Sequence, residues 1–254
     1  MSASTSRAGP WAAIWRHASL PIEPAAPQSA TRQVSGVDDF DGDGKNDLAF
    51  WDSTTGAVEF WLMDGATRPG DPVPLTGGSQ SPPWRLAATA DFDRDGWPDL
   101  LWRNESTQKL VVWTLNGTAK KGEIVPSPDQ AVHANWQVVG AVDLNGDGTV
   151  DLLWYNVSTG KIVYWWMDGS VQRITGSFTN PPNAGDANWK LLATGDYGAG
   201  PGGIADTADV VWRNETSGRY VVWHLDLAGN RTAGTFTTPD APASPLDWTI
   251  AGPR

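Results

Sequence analysis

Three acidic loops recur along this chain at a constant step. They begin at residues 39, 91 and 143, so each loop lies 52 residues from the next. A repeat of this length indicates an array of similar supersecondary units, each of which buries its apolar face against its neighbours. The step therefore limits the chain to a repeat architecture.

Each loop alternates carboxylate or amide side chains with small residues, and each ends in an aspartate at its ninth position. A hard cation takes roughly six to eight oxygen ligands, and alternate residues of a tight loop can point at one centre. We therefore predict three Ca²⁺ sites, with side-chain ligands at loop positions 1, 3, 5 and 9 and a backbone carbonyl at position 7. The predicted ligands are Asp39, Asp41, Asp43, Lys45 and Asp47; Asp91, Asp93, Asp95, Trp97 and Asp99; and Asp143, Asn145, Asp147, Thr149 and Asp151.

The rest of each unit predicts short strands joined by tight turns. Apolar runs such as Leu100–Trp102 follow the loops, so each loop is expected in a β-hairpin and not before a helix. An Asn-x-Ser-Thr-Gly segment then separates two strand-like runs, which is a hairpin signal. About four strands per unit at this spacing are typical of a β-propeller. The predicted repeats lie near 32–83, 84–135, 136–188 and 189–247, with a final strand at 248–253.

The two ends of the chain predict how the ring closes. Residues 1–31 precede the first loop, where a late strand of a blade belongs, and Trp248 begins a copy of a first strand. We expect an all-β propeller of four-stranded antiparallel blades, five in number, with the last blade closed by both termini. A fragment of a larger propeller, or a homo-oligomer that completes the ring between chains, is the alternative.

The fourth repeat departs from the others. Between Asp196 and Asp209 the segment is five residues longer than the corresponding part of the third loop, and it lacks the alternating carboxylates. We expect no standard calcium site in this blade. Twelve of the sixteen tryptophans occupy three repeat positions and are expected in the core, because large flat rings at fixed strand positions suit the packing of one blade on another.

These repeats resemble bacterial FG-GAP or VCBS-type repeats, the broad family that includes the calcium-bearing blades of the integrin α-chain propeller. The resemblance is carried by the three loops together with Leu-Leu-Trp-x-Asn-x-Ser-Thr-Gly and Trp-x-Met-Asp-Gly, and it extends from about residue 32 to the C-terminus. It implies a propeller fold and calcium-binding blades. It says less about function, because the family includes adhesive, carbohydrate-binding and accessory modules and only occasionally enzymes.

Composition narrows the class of partner. A net charge of −11 and a pI of about 4.5 disfavour nucleic acids and anionic membranes. No apolar stretch approaches the length of a membrane span. The chain has no cysteine, and no signal peptide is visible at its start. Because weak calcium loops suit millimolar calcium, we expect a secreted or cell-surface protein.

Three functions remain open at this point: a carbohydrate-binding, lectin-like module, a protein-binding or adhesive module and, as the weakest, a polysaccharide-degrading enzyme or an accessory domain of one. We expect no enzyme, because the three histidines have no paired spacing and no nucleophile motif is seated between a strand and a helix. The expected partner is a glycan or a protein. Candidate ligand-binding residues are Trp97, Trp166, Arg103, Asn104, Asn156, Arg213 and Asn214.

Overall fold

The computed structural model describes residues 31–131, 133–195, 197 and 208–237. These residues form four sheets of four strands each, and every pair of neighbouring strands is antiparallel. The strands are β1 (Arg32–Asp38), β2 (Asp47–Asp52), β3 (Val58–Trp61), β4 (Val73–Pro74), β5 (Trp84–Ala90), β6 (Asp99–Asn104), β7 (Leu110–Asn116), β8 (Ala119–Ile124), β9 (Trp136–Val142), β10 (Asp151–Asn156), β11 (Ile162–Met167), β12 (Arg173–Phe178), β13 (Trp189–Gly195), β14 (Asp209–Asn214), β15 (Tyr220–Leu225) and β16 (Arg231–Phe236).

The predicted all-β class and the four-stranded antiparallel blade are confirmed. The number of blades differs, since the described residues form four blades and not five. Residues 1–30 and 248–253, which the sequence assigns to the closing blade, lie outside the described residues. No helix long and apolar enough to cross a membrane occurs in the part of the chain that the structure describes.

The first strands of successive blades lie side by side, with β1 against β5, β5 against β9, and β9 against β13. This approach requires residues without side chains. A Cβ atom on Gly36 would come within 2.3 Å of Thr89, and one on Gly140 within 2.1 Å of the Thr194 hydroxyl. The blades are therefore arranged around the first strands, as in a propeller.

The core between the blades is rich in tryptophan, as predicted. In the second blade the rings of Trp102 and Trp113 lie 5.2 Å apart, and the third and fourth blades repeat the pair. A cation of the outer strand covers the second ring of each pair; Lys120 lies 3.7 Å from the centre of Trp113. The prediction holds fully for eight of the twelve: Trp51, Trp61, Trp102, Trp113, Trp154, Trp165, Trp212 and Trp223 are buried, whereas Trp84, Trp136 and Trp189 are half-buried and Trp248 lies outside the described residues.

Candidate functional site

All three acidic loops lie at the same end of their blades. Each connects the first strand to the second, and the residues that flank it pair directly, as Asp38 with Asp47. The predicted β-hairpin placement is therefore confirmed. We call this the loop end. The Asn-x-Ser-Thr-Gly segments lie at the opposite end of the second strands, which we call the turn end.

In the first loop, the carboxylate of Asp39 organises the backbone. It accepts the N–H groups of Gly42 and Gly44, each at 2.7 Å, and of Asp43 at 3.1 Å. Gly44 has a φ of +81°, which favours glycine at this turn. As a result Asp39, Asp41 and Asp43 each bring a carboxylate oxygen within 4.8 Å of the other two. Three oxygens at this separation can bind one cation at Ca²⁺–O distances of about 2.3–2.6 Å.

The second loop has a different carboxylate triad. Asp91, Asp93 and Asp99 each offer an oxygen within 4.8 Å of the others. Asp91 accepts the N–H of Asp95 at 3.1 Å, much as Asp39 does in the first loop. A lysine from the outer strand, Lys121, donates to the carboxylates of Asp93 and Asp95.

The third loop keeps the same backbone but has fewer acids. Asp143 accepts the N–H groups of Gly146 at 2.7 Å and of Gly148 at 2.8 Å. Asn145 replaces the aspartate of the other two loops, and its side-chain amide donates to Asp147 at 3.0 Å. The loop therefore offers an amide oxygen where its counterparts offer a carboxylate.

Asn145→Asp is expected to raise the calcium affinity of the third loop. The added carboxylate contributes a full charge beside a divalent ion. A pair of unit charges 4 Å apart in water is worth about 1 kcal/mol, and the divalent ion doubles this, so the affinity should rise by about tenfold or more. The unmodified third loop should accordingly release calcium before the first loop, which has the full set of carboxylates. Titration calorimetry on the variant and the parent checks this, and equal affinities would contradict it.

The ninth-position aspartates have a second role that the loop pattern did not reveal. Asp47 is buried, and it accepts the N–H of Phe40 at 2.9 Å and of Met63 at 2.8 Å. It thereby ties the start of the loop to the end of the third strand. The other two blades repeat this clamp, with Asp99 accepting from Phe92 and Leu115, and Asp151 from Leu144 and Met167.

Burial makes the charge of these three aspartates costly. It raises the pKa of Asp99 to about 7 and that of Asp151 to about 6, and it raises the pKa of Asp47 as well. The nearby carboxylates of the same loops add to the effect. A bound divalent cation would offset both contributions, since an opposite charge favours the ionised form.

The donor set fits calcium, because oxygen ligands at alternate positions of a glycine-containing turn are what this cation requires. The side chains of the predicted sets would supply most ligands. The predicted carbonyl ligands belong to residues whose N–H groups donate to the fifth-position side chain, which fixes them in the turn: Lys45 to Asp43, Trp97 to Asp95 and Thr149 to Asp147.

In the fourth blade the equivalent aspartate is Asp209. Its Oδ2 accepts the N–H of Tyr197 at 2.8 Å, and its Oδ1 lies 3.1 Å from Nδ1 of His224. Residues 196 and 198–207, on which the expectation of a missing metal site depends, lie outside the described residues. The Asp209–His224 contact could not be recognised from the histidine spacing alone.

The predicted ligand-binding residues do not form one site. Trp97 and Trp166 lie at the loop end, whereas Arg103 and Asn104 lie at the turn end of β6. A strand rises about 3.3 Å per residue, so the length of β6 separates the two groups by roughly 17 Å.

Trp97 and Trp166, which lie outside the three repeated tryptophan positions, both contact neighbouring blades. A Cβ atom on Gly42 of the first loop would lie 3.1 Å from the ring of Trp97, which is half-buried there. Trp166 stacks on Tyr164 with ring centres 4.9 Å apart, and it lines a small cavity at the seam between the third and fourth blades. Packing therefore accounts for much of the surface of both rings.

The predicted polar ligand residues are largely engaged within the fold. Arg103 is fully buried and donates to Glu105, to Gln108 and, across the seam between blades, to the carbonyl of Trp136 at 2.9 Å. Its guanidinium is not at the surface, so the expectation that it contacts a ligand is corrected. Arg213 is half-buried, 5.9 Å from the ring centre of Tyr220.

The three predicted asparagines stabilise turns. The side-chain oxygen of Asn104 accepts the N–H groups of Ser106 and Thr107 at 3.0 and 2.9 Å. Asn156 and Asn214 repeat these bonds in the third and fourth blades. All three side chains are buried, which assigns them to the turn and not to an exposed ligand surface.

An open groove, which the sequence did not indicate, lies at the turn end between the third and fourth blades. Its cavity volume is about 120 Å³. Half-buried Trp189 forms part of its wall, with hydrogen-bonding groups around it. At the corresponding place between the second and third blades, Arg103 of β6 hydrogen-bonds to backbone carbonyls across the seam. The residue of the third blade at the same repeat position is Tyr155. The polar lining side chains are Ser158, Thr159, Asn183, Asp186 and Lys190.

Part of this chain is similar to a known family of repeats. The model of a family described as FG-GAP-like repeat matches residues 39–102 and 91–154, which include all three loops. No curated protein sequence matches significantly. Among solved structures, hydrazine synthase of Kuenenia stuttgartiensis is similar at 14% identity and a TM-score of 0.41, covering 85% of this chain and 52% of the other. A Dos1 propeller is similar at 10% identity and a TM-score of 0.42, covering 81% and 51%.

This chain thus spans about half the length of both solved structures. The repeat match covers the three acidic loops, and the four described sheets are blades packed through their first strands. The chain is therefore an FG-GAP-repeat β-propeller.

Proposed function

We propose that this chain is a calcium-stabilised binding module of the extracellular space and that its ligand is a carbohydrate. The calcium assignment is supported by the carboxylate triads of the first two loops, in which the oxygens lie within 4.8 Å of one another. Extracellular modules bind calcium with Kd values of about 10⁻⁴–10⁻³ M, which matches the higher calcium concentration outside cells. Exposed loops such as these suit binding in that range. A secreted or cell-surface location follows from this proposal.

The observation that carries the carbohydrate assignment is the groove at the seam of the third and fourth blades. Trp189 supplies an aromatic surface for the C–H face of a sugar ring, and exposed Asp186 and Ser158 lie beside it as partners for hydroxyl groups. Sites of this kind combine apolar and aromatic walls with a few polar groups that fix orientation. The groove replaces Arg103 and the turn asparagines as the proposed place of binding.

The test is a glycan array probed with the full chain at millimolar calcium, followed by titration calorimetry with the best ligand. Trp189→Ala is expected to weaken binding by about tenfold or more, because aromatic contacts contribute about 0.5–1.5 kcal/mol beyond their buried area. Asp186→Ala should weaken binding through lost hydrogen bonds to hydroxyl groups.

Trp136→Ala is the matched control, since Trp136 is the equivalent half-buried residue of the preceding seam, where Arg103 crosses between the blades. It should lose stability to a similar degree and keep its glycan affinity. Equal glycan affinity in the Trp189 variant and the parent would contradict the groove assignment. We propose binding without turnover, so a bound polysaccharide should be recovered at its original length.

A protein partner is the second candidate, and a different surface supports it. Ile174, Phe178 and Phe236 expose apolar side chains on the outer strands β12 and β16, with exposed fractions of 66%, 49% and 45%. Exposed apolar side chains on outer strands are suited to protein contacts. A glycan array without binding, together with capture of a defined protein that Phe178→Ser abolishes, would favour this function.

A further inference from the structure

A β-bulge directs one lysine of the second blade toward the second acidic loop. In the pairing of β7 with β8, Leu115 faces Lys120 and Thr114 faces Gly122, so Lys121 is the extra residue between them. Bulges change the direction of a side chain relative to its strand. Here the change brings Lys121 to a loop that precedes it by 26 residues or more.

The ammonium of Lys121 contacts two predicted calcium ligands at once. Its Nζ lies 3.0 Å from Oδ2 of Asp93 and 2.5 Å from Oδ2 of Asp95. In the first loop, by contrast, Lys45 reaches one ligand, Asp43 at 2.8 Å.

We propose that Lys121 is a tethered competitor for the cation of the second loop, where its ammonium occupies carboxylate oxygens that calcium needs and must withdraw when calcium binds. The inference rests on the proposed calcium binding of the loops. A cation held by the fold lowers the affinity for a second cation, because it neutralises part of the ligand charge and repels the ion. Lys121 would also stabilise the metal-free loop by reducing repulsion among its carboxylates.

The repeats supply an internal comparison. The same bulge occurs in the next two blades, where the extra residues are Ile174 and Thr232. Ile174 is 66% exposed and carries no charge, so the third loop has no such competitor at the bulge. A lysine at position 174 would create in the third blade the arrangement that the second blade has.

The experiment measures calcium affinity by titration calorimetry in the full chain, one loop at a time. Asp41→Asn and Asp147→Asn weaken the first and third loops, so that the second loop can be followed. On this background Lys121→Met should raise calcium affinity by about tenfold, because it removes one unit charge close to a divalent ion. Lys120→Met is the control, since Lys120 pairs with Glu123 and lies over Trp113; it should leave the affinity unchanged.

The reciprocal variant follows the third loop, with Asp41→Asn and Asp93→Asn weakening the other two. Ile174→Lys should lower calcium affinity there by about tenfold. Lys121→Met should also lower the melting temperature in chelator while it raises the gain on adding calcium, a pair of changes that a merely structural lysine would not produce. Unchanged affinity in Lys121→Met, with calcium binding intact in the parent, overturns this inference alone. Absence of calcium binding in the parent overturns the proposed calcium function.

Discussion

Asp99→Ala is expected to lower the free energy of unfolding by about 3–5 kcal/mol, in chelator as well as in calcium. The carboxylate accepts the backbone N–H groups of Phe92 at 2.9 Å and Leu115 at 2.8 Å in a fully buried position. Alanine leaves both donors without a partner, and each unsatisfied buried donor costs about 1–3 kcal/mol. The loss of packing at the same place adds to this.

Asp95→Ala separates the clamp from the metal site. Asp95 is an exposed residue of the same loop and a predicted calcium ligand, and its carboxylate accepts hydrogen bonds from the N–H of Trp97 and the ammonium of Lys121. In chelator its replacement should change stability by no more than about 0.5 kcal/mol, whereas the calcium-dependent part of the stability should fall. Denaturant unfolding of both variants with and without calcium provides the measurement. If Asp99→Ala matched the parent in chelator, the clamp would have no structural role.

The 52-residue step and the alternation of strand runs with turn residues were sufficient to predict the fold class and the hairpin position of the loops. The sequence alone also favours a turn role for Asn104, Asn156 and Asn214, because an asparagine side chain can accept a hydrogen bond from the backbone two residues further along. Their repetition also suggested a ligand surface, which the burial of the three side chains disfavours.

The contacts that Arg103 and Lys121 make could not be predicted from the sequence. The buried position of Arg103 depends on its hydrogen bond to the carbonyl of Trp136 in the next blade, 33 residues away. The presence of an arginine in a strand does not predict such a contact. Lys121 depends on a bulge, and no residue type marks the extra position, which is Lys121, Ile174 and Thr232 in successive blades. Periodicity predicts elements and repeats, whereas these contacts are set by register and by the approach of the blades.

Removal of calcium is expected to lower the melting temperature by about 8–16 °C, from a starting calcium concentration ten times the Kd of each loop. Mass action gives about 1.4 kcal/mol per site at that concentration, or about 4 kcal/mol for three sites. For a chain of this size each kcal/mol corresponds to about 2–4 °C. The physical origin lies partly in the buried aspartates, since burial raises the pKa of Asp99 to about 7 and a cation beside it offsets that cost.

Scanning calorimetry in EGTA and in calcium provides the measurement, with metal removal confirmed by elemental analysis. Magnesium at the same concentration is the ionic-strength control, and it should restore little of the loss, because Mg²⁺ demands a near-octahedral site and keeps its waters. Variants that each weaken one loop should each remove about a third of the calcium effect, since three independent sites at the same multiple of their Kd contribute equally and additively. The three variants are Asp41→Ala, Asp93→Ala and Asn145→Ala. A melting temperature that is the same in EGTA and in calcium would mean that the loops hold their conformation through backbone hydrogen bonds alone, as Asp39 does with Gly42 and Gly44.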